Sequence, residues 1–394
     1  GWELDYPLCL QLHLEAASAA LRCSAYDCMD ALLDAALPRA RDLLDRASLQ
    51  EIRISSLIAR SRMEEAISTA LPILRALGHN YPDEPRDRHI VAALIKLRWI
   101  LHGKSMDDLR GLPEMTDPRQ RMAMRIGSSM GTAAMIAKPK LMPLMILRGM
   151  ETVATYGYCE QGPPLIAAYG LILCGALGQV QRGERFGRLA LELTERFKAS
   201  RVEGRVLHVY AAFIQHWSTA LQDTLPQLRQ AFSTALDNGD FEYAANAASI
   251  HAMHAFMAGM NLDRLNELLD THYEALANVR QGDSAYYLHV IHKAVAELRG
   301  GRHDSELALL AETYQARLEL DRAIQVVANL AAIELNIYFG RVDDALSIAD
   351  TFNTDASGLV SSTPGAYMKV HFHWLNALAH LLRCHTARGA ERRR

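Results

Sequence analysis

The feature that most constrains the fold is a helical pattern that breaks at intervals of about 40 residues. Between the breaks, apolar residues recur at three- and four-residue spacing, which is typical of the buried face of an α-helix and differs from the alternation of a strand. Clear examples are Met63, Ala66, Ile67, Ala70, Leu74 and Leu77; Leu262, Leu265, Leu269, His272 and Leu276; and Val342, Ala345, Leu346, Ala349 and Phe352. The sequence therefore predicts a chain built from helices.

The breaks are regular along most of the chain. Turns are predicted near Arg22, Ser61, Gly103, Ala137, Gly178, Ala220, Gly259, Gly300 and Gly340, and the last helix is predicted to run from Ala366 to about Cys384. A period of about 40 residues is what two helices of about 15 to 18 residues and two short connections require. One such pair does not cover its own apolar face, so pairs are expected to stack into a curved superhelix with a concave surface.

The predicted fold class is all-α, an α-α superhelix. It is a TPR-like solenoid of about nine to ten helical hairpins that occupies residues 1–385. Irregular connections are predicted around 103–118, where glycine and proline shorten one repeat, and around 353–365, which is rich in serine, glycine and proline. The basic segment 386–394 is predicted to be a solvated tail or a truncated linker.

Composition excludes several classes of partner. The net charge is −3 and the pI is near 6.6, so no charge excess favours nucleic acid or an anionic membrane. No apolar run is long enough for a membrane span, and no secretory signal pattern opens the sequence. The cysteines lack the spacing of a disulfide scaffold or a zinc pair, and we expect most to be buried in a reducing compartment: Cys9, Cys23, Cys28, Cys159, Cys174 and Cys384. The predicted location is cytoplasmic.

Two short motifs resemble catalytic or nucleotide-binding signatures. Gly103-Lys104-Ser105 ends like a phosphate-binding loop, but Arg98 stands where the first glycine is required and the preceding segment is helical in pattern. Gly127-Ser128-Ser129-Met130-Gly131 matches the serine-hydrolase elbow, which works only between a strand and a helix. Both flanks of this second motif favour helix. We therefore interpret the first as a helix cap and the second as a site of tight helix packing, and predict no catalytic residue.

Histidines occur in three close pairs. They are His251 with His254, His289 with His292, and His371 with His373. Pairs three residues apart share a helix face, and the first two pairs are predicted on neighbouring helices, which makes a metal site conceivable. No acidic residue accompanies these pairs at ligand spacing, and His371 and His373 are expected on different faces. Satisfied, half-buried histidines are the better interpretation, and we predict no metal and no cofactor.

Four aromatic residues are candidates for anchors in a binding groove: Tyr286, Tyr287, Trp217 and Trp374. Aromatic residues at helical spacing belong more often to the core, so the core interpretation is favoured. The partner-binding residues stay unknown from the sequence.

Several stretches resemble the helical region of very large bacterial and fungal signalling proteins. These stretches are Ile67–Gly78 with Pro82, Leu112–Pro118, Ala154–Gly157 with Ala168–Gly170, Gly183–Leu191, and Asn238–Ala244 with His254. In that family a serine/threonine-kinase-like domain and a STAND-type AAA ATPase precede a TPR-like superhelix, and GAF and sensor histidine kinase domains follow it. The resemblance implies that this chain is a piece of such a protein and carries none of its catalytic residues.

The resemblance implies a sensing scaffold. A protein partner or a small-molecule effector would bind in the concave groove, and the event would reach the neighbouring ATPase and kinase domains of the same polypeptide by conformational change. The alternative is a free-standing TPR-type adaptor that binds partner peptides in its groove. An enzyme is the least favoured hypothesis.

Overall fold

The computed structural model describes residues 1–276, 284–300, 322–354 and 365–391. Within these ranges the chain is helical, with one isolated bridge between Glu114 and Tyr158 and no β-strand. The prediction of an all-α fold is confirmed for the described residues. None of the helices in these ranges combines the length and the apolar character needed to cross a membrane. The chain divides into two compact units, residues 1–169 and 170–394.

The first unit begins with long helices that pack in consecutive pairs. Its helices are α1 (Tyr6–Arg22), α2 (Tyr26–Ala36), α3 (Leu43–Ala59), α4 (Met63–Ala76), α5 (Asp87–Ile100), α6 (Met106–Arg110), α7 (Pro118–Ser129), α8 (Gly131–Ala137), α9 (Leu141–Tyr156) and α10 (Gly162–Leu171), whose last residues fall in the second unit. Helix α1 packs on α2, α3 on α4, and α5 on α9. The short α6 lies in the segment for which an irregular connection is predicted.

The second unit opens with a π-helical turn at Ile172–Ala176. Its helices are α11 (Val180–Arg196), α12 (Ser200–Phe213), α13 (Leu225–Asp237), α14 (Phe241–Met257), α15 (Leu262–Leu276), α16 (Ser284–Gly300), α17 (Arg322–Tyr338), α18 (Val342–Thr354) and α19 (Met368–Glu391). Consecutive helices pack on each other, and α12, α14, α16 and α17 also contact one another in that order. We call these four the central helices. Helix α19 packs on α17 and α18.

The predicted breaks lie at helix ends, except the last. Four of the break glycines, Gly103, Gly178, Gly259 and Gly340, have φ between +64° and +76°, and Ser61 adopts the same left-handed backbone at +58°. This conformation ends a helix and suits glycine because it has no Cβ. The predicted end at Cys384 is wrong, because α19 continues to Glu391 into the segment predicted as a tail. The regular period and the superhelical curvature stay predictions.

The apolar stripes form the core of each unit. In α4, Ala66, Ala70 and Leu74 are at most 1 % exposed, and in α15 Leu265 and Leu269 are fully buried. The stripe of α18 is likewise buried at Ala345, Leu346 and Ala349, whereas the side chain of Phe352 lies outside the described part. These faces were predicted to be buried, and that prediction is confirmed.

Small residues let helices of the second unit approach closely. Helix α14 buries Ala244, Ala245, Ala247, Ala248, Ala252 and Ala255. Gly204 of α12 lies so close to α13 that a Cβ added there would be 2.8 Å from the Cβ of Ala235 and 2.9 Å from its backbone. A methyl group does not fit in that gap without moving a helix.

The cysteines and the loop predicted around 353–365 differ from the other sequence predictions in outcome. The cysteines are mostly not buried: only Cys174 is, while Cys23, Cys28 and Cys384 are exposed, because they lie at a helix end or on outward faces rather than in the apolar stripes. The loop predicted around 353–365 falls almost wholly on residues 355–364, which lie outside the described residues.

Candidate functional site

The motif that resembles a phosphate-binding loop is a helix cap. Gly103 turns the chain after α5, and Ser105 begins α6. The Ser105 hydroxyl accepts the Asp108 backbone N–H at 3.1 Å, and the Asp108 carboxylate accepts the Ser105 N–H at 2.8 Å. The Lys104 ammonium donates to the carbonyl of Ala154 at 3.0 Å. The predicted cap and turn are confirmed, since a helix precedes the motif where a phosphate loop needs a strand.

The motif that resembles a hydrolase elbow joins two helices. Ser129 is the last residue of α7, and α8 starts at Gly131. The Ser129 hydroxyl donates to the Glu51 carboxylate at 3.4 Å, and Glu51 also pairs with Arg125. The strand-to-helix turn that exposes a nucleophile is therefore missing at this position.

The three histidine pairs take different positions. His251 and His254 of α14 are 3 % exposed, and His371 of α19 is 4 % exposed, whereas His373 is exposed as the i, i+2 spacing predicts. Among the described residues, no group of three or more histidine, cysteine or acidic side chains is arranged to hold a metal ion. The pairs on α14 and α16 lie on contacting helices, as predicted, without forming such a group.

The structure gathers a set of buried histidines that sequence reasoning only partly found. We call it the histidine cluster: His208, His216, His251, His254, His272 and His371, each at most 9 % exposed. They come from α12, the turn after it, α14, α15 and α19. The sequence placed His272 on a buried stripe, but His208 and His216 gave no such signal because their neighbours do not mark a single apolar face.

One half of the cluster pairs α14 with α15. His251 Nδ1 and His272 Nε2 are 3.2 Å apart, and their ring centroids are 5.3 Å apart. The His272 ring also meets Phe232 edge-on at 4.5 Å. One ring nitrogen of this pair must carry the shared proton while the other accepts, so the tautomer of one imidazole determines the tautomer of the other.

The other half surrounds His254. The Thr224 hydroxyl donates its proton to the carbonyl of Leu221 at 2.7 Å and lies 2.8 Å from His254 Nδ1. Because that hydroxyl proton is already used, His254 Nδ1 must carry a proton and donate it to Thr224. The ring of His216 meets that of His254 edge-on at 6.0 Å.

A C-terminal segment closes this side of the cluster. We call Gly365–Trp374 the strap. Tyr367 contacts the rings of His216 and His254 at centroid distances of 5.8 Å and 6.4 Å. At its start, a Cβ added to Gly365 would lie 3.6 Å from Leu171 and 3.7 Å from Gly175, so the strap reaches the helices that open the unit.

The strap is tied to α17 by a buried polar contact. His371 Nε2 is 2.9 Å from Glu334 Oε2, and both side chains are at most 6 % exposed. The other Glu334 oxygen accepts the Tyr338 hydroxyl at 2.9 Å. Trp374 stacks on His371 at 5.6 Å and is 54 % exposed, so it lies on the outer side of the strap rather than in the core.

Burial keeps five histidines of the cluster neutral at pH 7. It lowers the pKa of His208, His216 and His272 to about 4 and that of His251 and His254 to about 3. Desolvation of the charged ring is the main cause, and neighbouring histidines add to it at His251 and His254. At His216 the carbonyls of Ala212 and Gly365 act in the opposite direction, but neither reaches normal hydrogen-bond geometry.

Several polar atoms around the cluster lack a hydrogen-bond partner in the described protein. They are His208 Nδ1, Gln215 Oε1, both ring nitrogens of His216, Trp217 Nε1 and His272 Nδ1. Each such atom costs about 1–3 kcal/mol when it is buried without a partner. Of these residues, His216 lies against Tyr367 of the strap, so the strap covers a ring with two unpartnered nitrogens.

Comparison with known proteins points to signalling. Over 286 residues, which are 68 % of this chain and 8 % of the relative, the chain is 20 % identical to "Hybrid signal transduction histidine kinase G" of Dictyostelium discoideum. The chain thus spans a small fraction of that protein. No protein-family model matches the chain, and no solved structure is significantly similar to it. The name of that relative places it, as a whole protein, in signal transduction.

Proposed function

We propose that this chain is the sensing scaffold of a larger signalling protein. Its helices would form a TPR-like superhelix of the kind that stands beside STAND-type ATPase, serine/threonine-kinase-like and sensor histidine kinase domains. The similarity to a hybrid histidine kinase supports this proposal, as does the share of only 8 % that the matched region takes of that relative. The chain itself would act in the cytoplasm and supply no catalytic group.

The observation that carries the proposal is the strap over the histidine cluster. The buried ring of His216, whose two nitrogens have no hydrogen-bond partner in the described protein, is covered by Tyr367 of the strap, and His371 ties the strap to Glu334. A partner or an effector that satisfies those atoms better than the strap does would displace it. The difference in binding free energy between the two states would set how far the equilibrium shifts toward the state in which the strap is displaced. Movement of α17 and α19 would then transmit this displacement to the attached domains.

The experiment uses the natural reading frame that contains this chain. In the full polypeptide, Tyr367→Ala and His371→Ala weaken the strap, while Leu381→Ala, an exposed position of the same helix, serves as the matched control. We expect ATP hydrolysis or autophosphorylation to change by about fivefold or more in the strap variants, the usual size of an allosteric coupling, and to stay unchanged in the control. Equal activity in all four proteins would reject the strap as the sensing element.

The free-standing adaptor is the second candidate. A reading frame that ends near residue 394 without a catalytic domain on either side would favour it and reject the multidomain proposal. In that case Tyr367→Ala should change the affinity for a partner peptide rather than an enzymatic rate. The enzyme hypothesis ends if Ser129→Ala leaves activity on generic esters unchanged.

A further inference from the structure

Helix α5 exposes an apolar ridge that the fold of the first unit does not use. Val91, Ile95 and Trp99 are 53 %, 64 % and 79 % exposed. They are spaced by four residues, so they form one continuous row along a single face. The opposite face buries Ala93 and Leu97 and packs on α9. The helix is therefore anchored from behind, and its ridge points to solvent.

Arginines stand on the same face as the ridge. Arg88 and Arg98 are exposed, and their three- and seven-residue offsets from Val91 place them beside the row at its two ends. Neither forms an ion pair in the described protein; Arg88 donates to the ring of its neighbour His89. Two acidic side chains at or just before the start of α5 pair with other cations, Asp87 with Lys140 and Glu84 with Lys138.

Chemically, this face combines the residues that dominate protein interfaces. Tryptophan and arginine are among the side chains that contribute most at binding hot spots. A guanidinium that has no ion-pair partner favours a carboxylate in a bidentate arrangement. The apolar row has the spacing of a ridge that enters the groove of a second helix. Arg88 and Arg98, at the two ends of the row, favour a partner helix with acidic residues at the matching positions.

We propose that the α5 face, Arg88, Val91, Ile95, Arg98 and Trp99, is a docking surface for an amphipathic helix of a partner protein. The partner helix would present apolar residues at four-residue spacing and carry glutamate or aspartate at both ends of its apolar row. The surface belongs to the first unit, whereas the strap and the histidine cluster belong to the second. It stands whether or not the strap is the sensing element.

The test uses the whole 394-residue chain and two designed helical peptides of 18 residues. Both peptides carry leucine at i, i+4 and i+8; one has glutamate and the other lysine at the ends of that row. Calorimetric titration should give about tenfold or more tighter binding for the glutamate peptide, and Trp99→Ala should remove that binding. The double variant Arg88→Glu, Arg98→Glu should reverse the preference in favour of the lysine peptide.

Leu381→Ala is the control, because it removes a comparably exposed apolar side chain, 68 % exposed, from the other unit and should bind like the unchanged protein. Equal affinity for the two peptides, or binding that Trp99→Ala leaves intact, would overturn the proposal. So would Trp99-dependent binding to phosphatidylserine vesicles without any binding of the glutamate peptide. Self-association of the chain, measured by sedimentation equilibrium, would also overturn the proposal if it is lost in both Trp99→Asp and Leu8→Asp. That result would assign the face to α1 of a second copy, where Leu8 and Leu12 are exposed.

Discussion

Single residues in the second unit work under tight geometric limits. His254 is held by one hydroxyl whose proton is already used, so one tautomer fits, and Thr224 in turn links the ring to the turn before α13. Gly204 is under a similar limit, because atoms of Ala235 in α13 lie within 3 Å of the position that a Cβ would take. At both positions a change of one or two atoms is enough to disturb the packing of two helices.

Gly204→Ala should therefore destabilise the protein. The new methyl group would clash with the backbone of Ala235, and relief requires α12 and α13 to separate, at a cost of about 1–3 kcal/mol. The matched control is Gly127→Ala in α7. A Cβ there meets nothing within 4 Å, and the same holds at Gly131, so the prediction that these glycines allow tight helix packing is wrong. Gly127→Ala should stabilise by about 0.5–1 kcal/mol, because alanine is the better helix former. Urea denaturation of both variants checks the opposite signs; two shifts of the same sign contradict the expectation.

At the scale of elements, ends and contacts between helices matter more than helix propensity. Asp240 begins α14, where its carboxylate faces the N–H of Tyr243, and it also accepts from Arg205 of α12 at 2.5 Å. Burial tends to lower the pKa of Arg205, but Asp240 and Tyr243 more than compensate and raise it. One side chain thus fixes both the start of a helix and its position against a neighbour.

Asp240→Ala should lose the cap and the ion pair together, at a cost of roughly 2–3 kcal/mol. Asp240→Asn keeps an oxygen that can cap the helix and loses the charge, so we expect about half of that cost. Thermal unfolding monitored by circular dichroism separates the two. If the asparagine variant is as unstable as the alanine variant, the ion pair with Arg205 carries the whole contribution and capping carries none.

The whole molecule places its buried histidines unevenly. All the fully buried histidines of the described residues lie in the second unit, and none lies in the first. Burial lowers the pKa values of five of them to about 3 or 4 in the folded protein, below the value near 6.5 of an exposed ring: His208, His216, His251, His254 and His272. Below pH 6.5 the unfolded chain therefore binds protons that the folded second unit does not accept.

We expect the second unit to lose stability as the pH falls from about 6.5 to about 4. The free energy of unfolding falls by up to about 1.4 kcal/mol per pH unit for each of these five histidines. Above pH 6.5 their contribution to stability is fully present. Hydrogen exchange at pH 7.5 and 5.5, corrected for the intrinsic rate, should show lost protection in the central helices before the helices of the first unit. His208→Phe should lower the slope of the free energy of unfolding against pH by up to about 1.4 kcal/mol per pH unit. An unchanged slope would mean that His208 does not contribute.

The periodicity of the sequence alone determined that the described residues are helical, where most of their helices end, and which faces of α4, α15 and α18 are buried. These properties depend on neighbours three or four residues away and on the local backbone freedom of residues such as Gly259 and Ser61. It failed at the end of α19, because no glycine or proline stops the helix at Cys384.

The histidine cluster, the strap and the α5 face were decided only by the tertiary structure. His216 and Tyr367 are far apart along the chain, and their contact depends on how α19 crosses the unit. Likewise, the sequence does not distinguish the exposed ridge of α5 from a core stripe, since Val91 and Trp99 have the same spacing as buried residues and differ only in lacking a neighbour. Burial is a property of what packs against a face, and that is fixed by contacts between residues distant in sequence.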